Sequence, residues 1–227
     1  CSRPRFLPGH DSLVTAGVID GFAAPGRLKG MSGASDLFGT GASPAPVRLD
    51  GPSLFVVPGL LSPEQCAAIR RWTAERAWER DAPISTFEGF VVRKDIRNND
   101  RIIVDDEAWA GALWGRLKDV FPAVGAARAI GINERFRFYR YGPGMYFKAH
   151  YDGYYQRPGT RERSLYTLMI YLSDVAEGGD TRFHEAGQIV RPAEGLACVF
   201  LHHQLHAGEE VQRGEKWVLR TDVMYDL

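Results

Sequence analysis

From residue 131 onward, apolar residues recur at every second position, and this period of two restricts the fold more than any other feature of the chain. In "INERFRFYRYGPG" (132–144), Phe136 and Phe138 fall on one face and Arg135, Arg137 and Tyr139 on the other, the signature of a strand with one side in a core. "SLYTLMIYLSD" (164–174) is apolar on nearly every position, as a strand in the middle of a sheet must be. "LACVFLHH" and "KWVLRTDVMY" follow at sheet spacing, with Gly-Gly and Arg-Gly-Glu turns between strands.

The segment before 131 is mixed. "LFVVPG" (54–59) reads as a short strand. A helix then opens with Ser62 as N-cap, Pro63 in the first turn and Gln65 at capping-box spacing, with Cys66, Ile69 and Trp72 as its apolar stripe. "FEGFVVRK" (87–94) reads as another strand, followed by the polar loop "DIRNNDR". A second helix is expected over roughly 106–120, carrying Trp109, Leu113, Leu117 and Val120 and closed by Pro122. Helices first and strands later predict an α+β protein with a β-sandwich or barrel core. Residues 1–50 differ: they are rich in Gly, Ala, Ser and Pro without periodicity and read as an irregular N-terminal arm, with Phe22, Leu28 and Phe38 as anchors, ahead of one domain over 51–227.

Within the sheet region, "AHYDGYY" (149–155) sets His150 and Asp152 two positions apart, so both project from one strand face. His-x-Asp alone is more often structural than metal-binding. Of the six histidines, His206 lies just after an apolar strand and before a turn and is the best third ligand; His10 falls in the arm, and His202 and His203 read as strand-end residues. Two histidines and a carboxylate form the facial triad of non-haem iron oxygenases, with open positions for co-substrate and dioxygen. Lys216 and Arg220 share one face of the last strand, and two buried cations require an anion. That anion is a dicarboxylate co-substrate, or else a surface acid such as Asp222 or Glu215.

In order along the chain, the Tyr-Gly-Pro-Gly before His-x-Asp, "TLMIYLSD", "EGGDTRF", the second histidine and "GEKW" resemble the catalytic domain of prolyl 4-hydroxylases and the wider Fe(II)/2-oxoglutarate dioxygenase superfamily over about residues 130–225. The resemblance implies a double-stranded β-helix, or jelly roll, with helices packed on one sheet. It implies a hydroxylase whose iron ligands are His150, Asp152 and His206, and which consumes dioxygen and 2-oxoglutarate, with ascorbate as an accompanying reductant. Lys216 would hold the distal carboxylate of 2-oxoglutarate, Arg220 would share or take over that role, and Tyr141 and Thr167 would add hydrogen bonds. Phe147 stands where the family often has a tyrosine. Arg97, Asn99, Arg101 and Tyr154 are candidates for contact with a substrate that is a prolyl peptide or a small molecule. A non-catalytic jelly-roll binding domain, a nucleic-acid demethylase and a zinc hydrolase with the same ligands are the alternatives.

Charge weighs against nucleic acid: 28 basic residues balance 28 acidic ones, with no clustered basic stripe. No apolar run reaches the length of a membrane span. The three cysteines are too scattered for a zinc finger or disulfide framework, and Cys66 and Cys198 read as core residues. Because the chain starts at Cys1 rather than Met, a removed leader or a lipidated cysteine stays open, with a cytoplasmic location as the expectation.

Overall fold

Alternating apolar and polar residues become two facing sheets. The computed structural model describes residues 37–41, 43–86 and 89–227. The larger sheet contains β1 (Val47–Asp50), β2 (Leu54–Val57), β5 (Asp100–Asp105), β6 (Arg128–Ile132), β7 (Arg135–Tyr141), β9 (Glu162–Tyr171), β13 (Ala197–Leu201) and β16 (Lys216–Asp226). Its order is β1-β2-β13-β9-β16-β7-β5, with β6 also paired to β16. The smaller sheet runs β12 (Gln188–Val190), β11 (Thr181–Phe183), β14 (His206–Gly208) and β8 (Phe147–His150). Two short hairpins complete the strands: β3 (Ile84–Thr86) with β4 (Gly89–Val91), and β10 (Glu177–Gly178) with β15 (Val211–Arg213).

The period of two sorts the larger sheet's side chains into two cores. Phe136, Phe138, Leu168, Ile170, Val199 and Leu219 face α1 (Pro63–Ala74) and α2 (Glu107–Leu117), where they meet Cys66, Ile69, Trp72, Trp109 and Leu113. Tyr139, Tyr141, Met169, Tyr171, Cys198, Phe200 and Val218 face the smaller sheet and pack with its Phe183 and Val190. One sheet face therefore builds the hydrophobic support and the opposite face is free to build a site.

Local chemistry sets the ends of both helices. Ser62 accepts from the Gln65 amide and the Gln65 side chain accepts from the Ser62 amide, completing the capping box. α2 starts after Asp106, whose carboxylate accepts from the Trp109 amide. It ends at Leu117, three residues short of the expected end. The strand expected over 87–94 is instead a short hairpin around residues 87 and 88, which lie outside the described residues, and Phe90, Val91 and Val92 are exposed. Among the described residues no second sheet covers this segment, which leaves its apolar side chains exposed.

The larger sheet begins inside the segment read as an arm, because Val47–Asp50 pairs with Leu54–Val56. Leu37 and Phe38 are fully buried, and Phe38 sits edge-on to Trp109 and stacked on Phe136. Cys1, His10, Phe22 and Leu28 lie outside the described residues. Phe38→Ala should destabilise the protein by about 3–5 kcal/mol, measured as a lowered denaturant midpoint with unchanged slope. A shift below about 0.5 kcal/mol would mean that Phe38 merely rests on the core.

Candidate metal and co-substrate site

The smaller sheet puts the two histidines side by side. β14 and β8 are antiparallel, and His206 and His150 are direct cross-strand partners with ring centroids 4.3 Å apart. Asp152 lies just past the end of β8, where its amide donates to the His202 carbonyl (3.1 Å). Its carboxylate reaches to 3.7 Å from His150 Nε2 and 3.9 Å from His206 Nε2. One ligand atom from each of the three residues falls within 4.8 Å of the others, and they are the one such cluster among the described residues.

The donors are oriented as a metal requires. His150 Nδ1 donates to the Lys148 carbonyl and His206 Nδ1 to the Gln204 carbonyl, both at 2.9 Å. With the proton held at Nδ1, each Nε2 keeps its lone pair toward the centre. Burial lowers the His206 imidazole to about 4, so it is neutral at physiological pH. Burial works against the charge on Asp152, but electrostatic attraction, from the Arg220 guanidinium first, outweighs it and holds the carboxyl well below its usual range. Two imidazoles and one carboxylate fit Fe(II) by donor set, and the open side of the triad leaves room for further ligands.

A cavity opens beside the triad. It is lined by Tyr139, Tyr141, Phe147, Thr167, Met169, Thr181, Phe200, Lys216 and Arg220 together with the three triad residues. Lys216 and Arg220 do share the inner face of β16, but their partners differ. Arg220 has two acid partners, at 3.0 Å from Asp152 and 3.3 Å from Asp222, and Asp222 in turn holds Arg137 at 3.3 Å. Lys216 is 2% exposed; its ammonium donates to the Gly179 carbonyl (2.7 Å) and lies 3.4 Å from the Thr181 hydroxyl. No carboxylate lies within 4 Å of it among the described residues. Burial depresses it to about 8, with Asp180 pulling the other way.

Tyr141 is the cross-strand partner of Lys216 and its ring lies 5.5 Å from the ammonium. Thr167 donates to Asp152 (2.5 Å) and contacts His202 Nδ1 (3.1 Å), while His202 Nε2 contacts Ser164 (2.9 Å). His202 is thus the satisfied strand-end histidine its position suggested. His203 and His184 are exposed.

The four substrate candidates separate. Arg97 is buried against Tyr139 and Phe147, both of which line the cavity. Asn99 is fully buried and accepts from Arg97 Nε (2.6 Å). Arg101 is taken by Glu79 at 2.6 Å, and Tyr154 is exposed with Arg163 over its ring. Asn98 was not singled out from sequence, yet it clamps the loop to β8 through Tyr146 and Gly144. Nothing local distinguishes it from Asn99; only the fold brings its partners close.

Comparison with known proteins converges on this same segment. Residues 136–221 match the family model described as the 2OG-Fe(II) oxygenase superfamily. A putative prolyl 4-hydroxylase of Acanthamoeba polyphaga mimivirus is 25% identical over 186 residues, covering 72% of this chain and 71% of the relative. Prolyl 4-hydroxylase 1 of Arabidopsis thaliana is 26% identical over 196 residues, covering 73% of this chain and 66% of the relative. Among solved structures, the viral collagen prolyl hydroxylase of Paramecium Bursaria Chlorella virus-1 aligns with TM-score 0.55 and 21% identity, over 79% of this chain and 99% of that one. A Pseudomonas putida prolyl-4-hydroxylase aligns with TM-score 0.55 and 20% identity, over 76% of this chain and 93% of that one. The chain is thus similar to the 2OG-Fe(II) oxygenase superfamily over residues 136–221 and to the prolyl 4-hydroxylases over most of its length, and these likenesses support a hydroxylase enzyme.

Proposed function

We propose that this protein couples the oxidative decarboxylation of 2-oxoglutarate to hydroxylation of a substrate C–H bond, that of a prolyl residue or a related small molecule. The facing sheets are read as the double-stranded β-helix that such chemistry uses. The observation that carries the proposal is the pairing of the His150, Asp152 and His206 triad with a buried, acid-free Lys216 on the same cavity wall. A buried ammonium without a carboxylate is costly, and a dicarboxylate co-substrate removes that cost.

Fe(II) bound at the triad would supply the activation of dioxygen. The protein's own residues do the rest. Lys216 anchors the distal carboxylate of 2-oxoglutarate, and Tyr141 walls the site beside it. Phe147 stacks on the His150 ring at a centroid distance of 3.6 Å, while Phe200 and Phe183 pack against His206. These rings fix the imidazoles and keep water off them.

Arg220 acts one step back, as a positioning residue. It and Thr167 engage both oxygens of Asp152, so the carboxylate is held and its charge is shared before a metal arrives. Arg220→Leu should weaken Mn(II) binding by about 10- to 100-fold, read by titration against the wild-type protein, with Arg220→Lys recovering part of the loss. Equal Mn(II) affinity in Arg220→Leu would remove Arg220 from this role.

The test of the function as a whole is direct. Purified protein with Fe(II), 2-oxoglutarate and ascorbate is expected to release succinate and CO2, faster with a substrate. Zinc as the bound metal together with no affinity for 2-oxoglutarate would overturn the proposal.

A further inference from the structure

Arg97 is the one buried guanidinium near the triad that no acid serves among the described residues. The segment 96–98 runs alongside β8 like an added edge: the Lys148 amide donates to the Ile96 carbonyl (2.9 Å), and Arg97 and Phe147 form an antiparallel bridge. Asn98 locks this edge, donating to the Gly144 carbonyl (3.0 Å) and accepting from the Tyr146 amide (2.7 Å). Arg97 is thereby fixed beside the strand that delivers His150. Its guanidinium lies 4.5 Å from the Tyr139 ring centroid and 4.6 Å from that of Phe147, and the Phe147 ring stacks directly on His150.

The group is 5% exposed, and its orientation is set by one hydrogen bond from Nε to Asn99. Nη2 is buried and has no acceptor. Arg220 also has a buried nitrogen without an acceptor, Nε, but the neighbouring guanidinium groups differ from Arg97 in having acid partners. Arg220 and Arg137 have Asp222, Arg220 also has Asp152, and Arg140 and Arg80 share Asp100. The phenol of Tyr139 records the imbalance: burial raises it, but Arg97, Arg220 and Arg137 outweigh burial and hold it at about 8.

We propose that the substrate of this site carries a carboxylate, as a free amino or imino acid or the C-terminal residue of a peptide does, and that Arg97 receives it. The proposal rests on the oxygenase reading and narrows its substrate. Among the described residues, Arg97, Arg137, Lys216 and Arg220 have only Asp152 and Asp222 as direct ion-pair partners, while Asp180 and Glu209 act on Lys216 from farther away and are themselves paired with Arg191 and Arg182. A divalent metal and a doubly charged co-substrate cancel one another, so the excess of positive charge persists in the loaded site. A neutral backbone carbonyl could accept from Nη2 but would leave the buried charge uncompensated. A carboxylate does both, through charge-assisted hydrogen bonds.

The experiment uses the full chain loaded with Mn(II) and saturating 2-oxoglutarate without dioxygen, titrated calorimetrically with N-acetyl amino acids and their matched primary amides, proline included. At least one acid is expected to bind tenfold or more tightly than its amide. That preference should collapse in Arg97→Gln and return in part in Arg97→Lys. Amides binding as tightly as acids, no binding of either series at millimolar concentration, or a preference that survives Arg97→Gln would each overturn the assignment. The acid–amide comparison in wild-type protein stands even where a variant fails to fold. Succinate release by the wild-type protein, measured in parallel with Fe(II), separates the two readings: its presence keeps the oxygenase reading when the carboxylate assignment fails.

Discussion

His206→Ala should reduce Fe(II)- and 2-oxoglutarate-dependent succinate formation by at least about 100-fold, more than the loss typical for residues that merely support a metal ligand. His206 is the direct partner of His150 across β14 and β8, so its removal opens the triad without breaking a strand pairing. Only an imidazole side chain is lost, and far-UV circular dichroism should stay unchanged. Mn(II) titration should show the same collapse as turnover. His203→Ala is the matching control: it removes an exposed histidine three positions away and should leave both measurements as in the wild type. Full turnover in His206→Ala would end the ligand assignment.

Lys216→Met should raise the KM for 2-oxoglutarate by about 10- to 100-fold, the worth of one charge-assisted hydrogen bond, with a much smaller change in kcat. The same substitution should raise the Tm, because methionine fills the space of a buried ammonium that has no acid partner. Gain of stability with loss of co-substrate affinity is the pattern of a binding residue. A fall in both would mark Lys216 as a structural donor to Gly179 and Thr181.

The pH dependence follows from the same residue. Lys216 titrates near 8, lowered by burial, and binds an anion only while protonated. The KM for 2-oxoglutarate should therefore be flat below about pH 8 and climb above it, and Lys216→Met should abolish that climb. For stability the sign runs the other way. A lysine whose folded value lies below its unfolded one destabilises the fold fully below about pH 8, and this penalty is relieved as the pH rises toward the ordinary lysine range.

Much of this was legible in the residues. The alternation in 135–141 and the apolar run in 164–174 gave the two faces of β7 and the central place of β9, because a strand's side chains have no third direction to take. The capping box at Ser62 and the acid at Asp106 marked both helix starts. The hairpin of Ile84–Thr86 with Gly89–Val91 was misread as one strand, since its apolar residues look like core, whereas among the described residues no sheet covers them. Val47–Asp50 was read as arm because its apolar–charged alternation lasts only four residues and adjoins a Gly- and Pro-rich stretch.

At the site, the sequence by itself determined the candidate ligand types and their order: His-x-Asp, a distant histidine after a strand, and two cations on one strand face. The tertiary structure alone decided which cation is free. Lys216 and Arg220 are equivalent by spacing, and only the pairing of β16 with β9 and β7 brings Asp152 and Asp222 to Arg220 while leaving Lys216 with a carbonyl and a hydroxyl. The same holds for Arg97, whose place beside His150 depends on backbone hydrogen bonds across some fifty residues of chain. Periodicity reports which face a residue takes; which groups meet on that face is set by strand register, and register is a property of the assembled sheet.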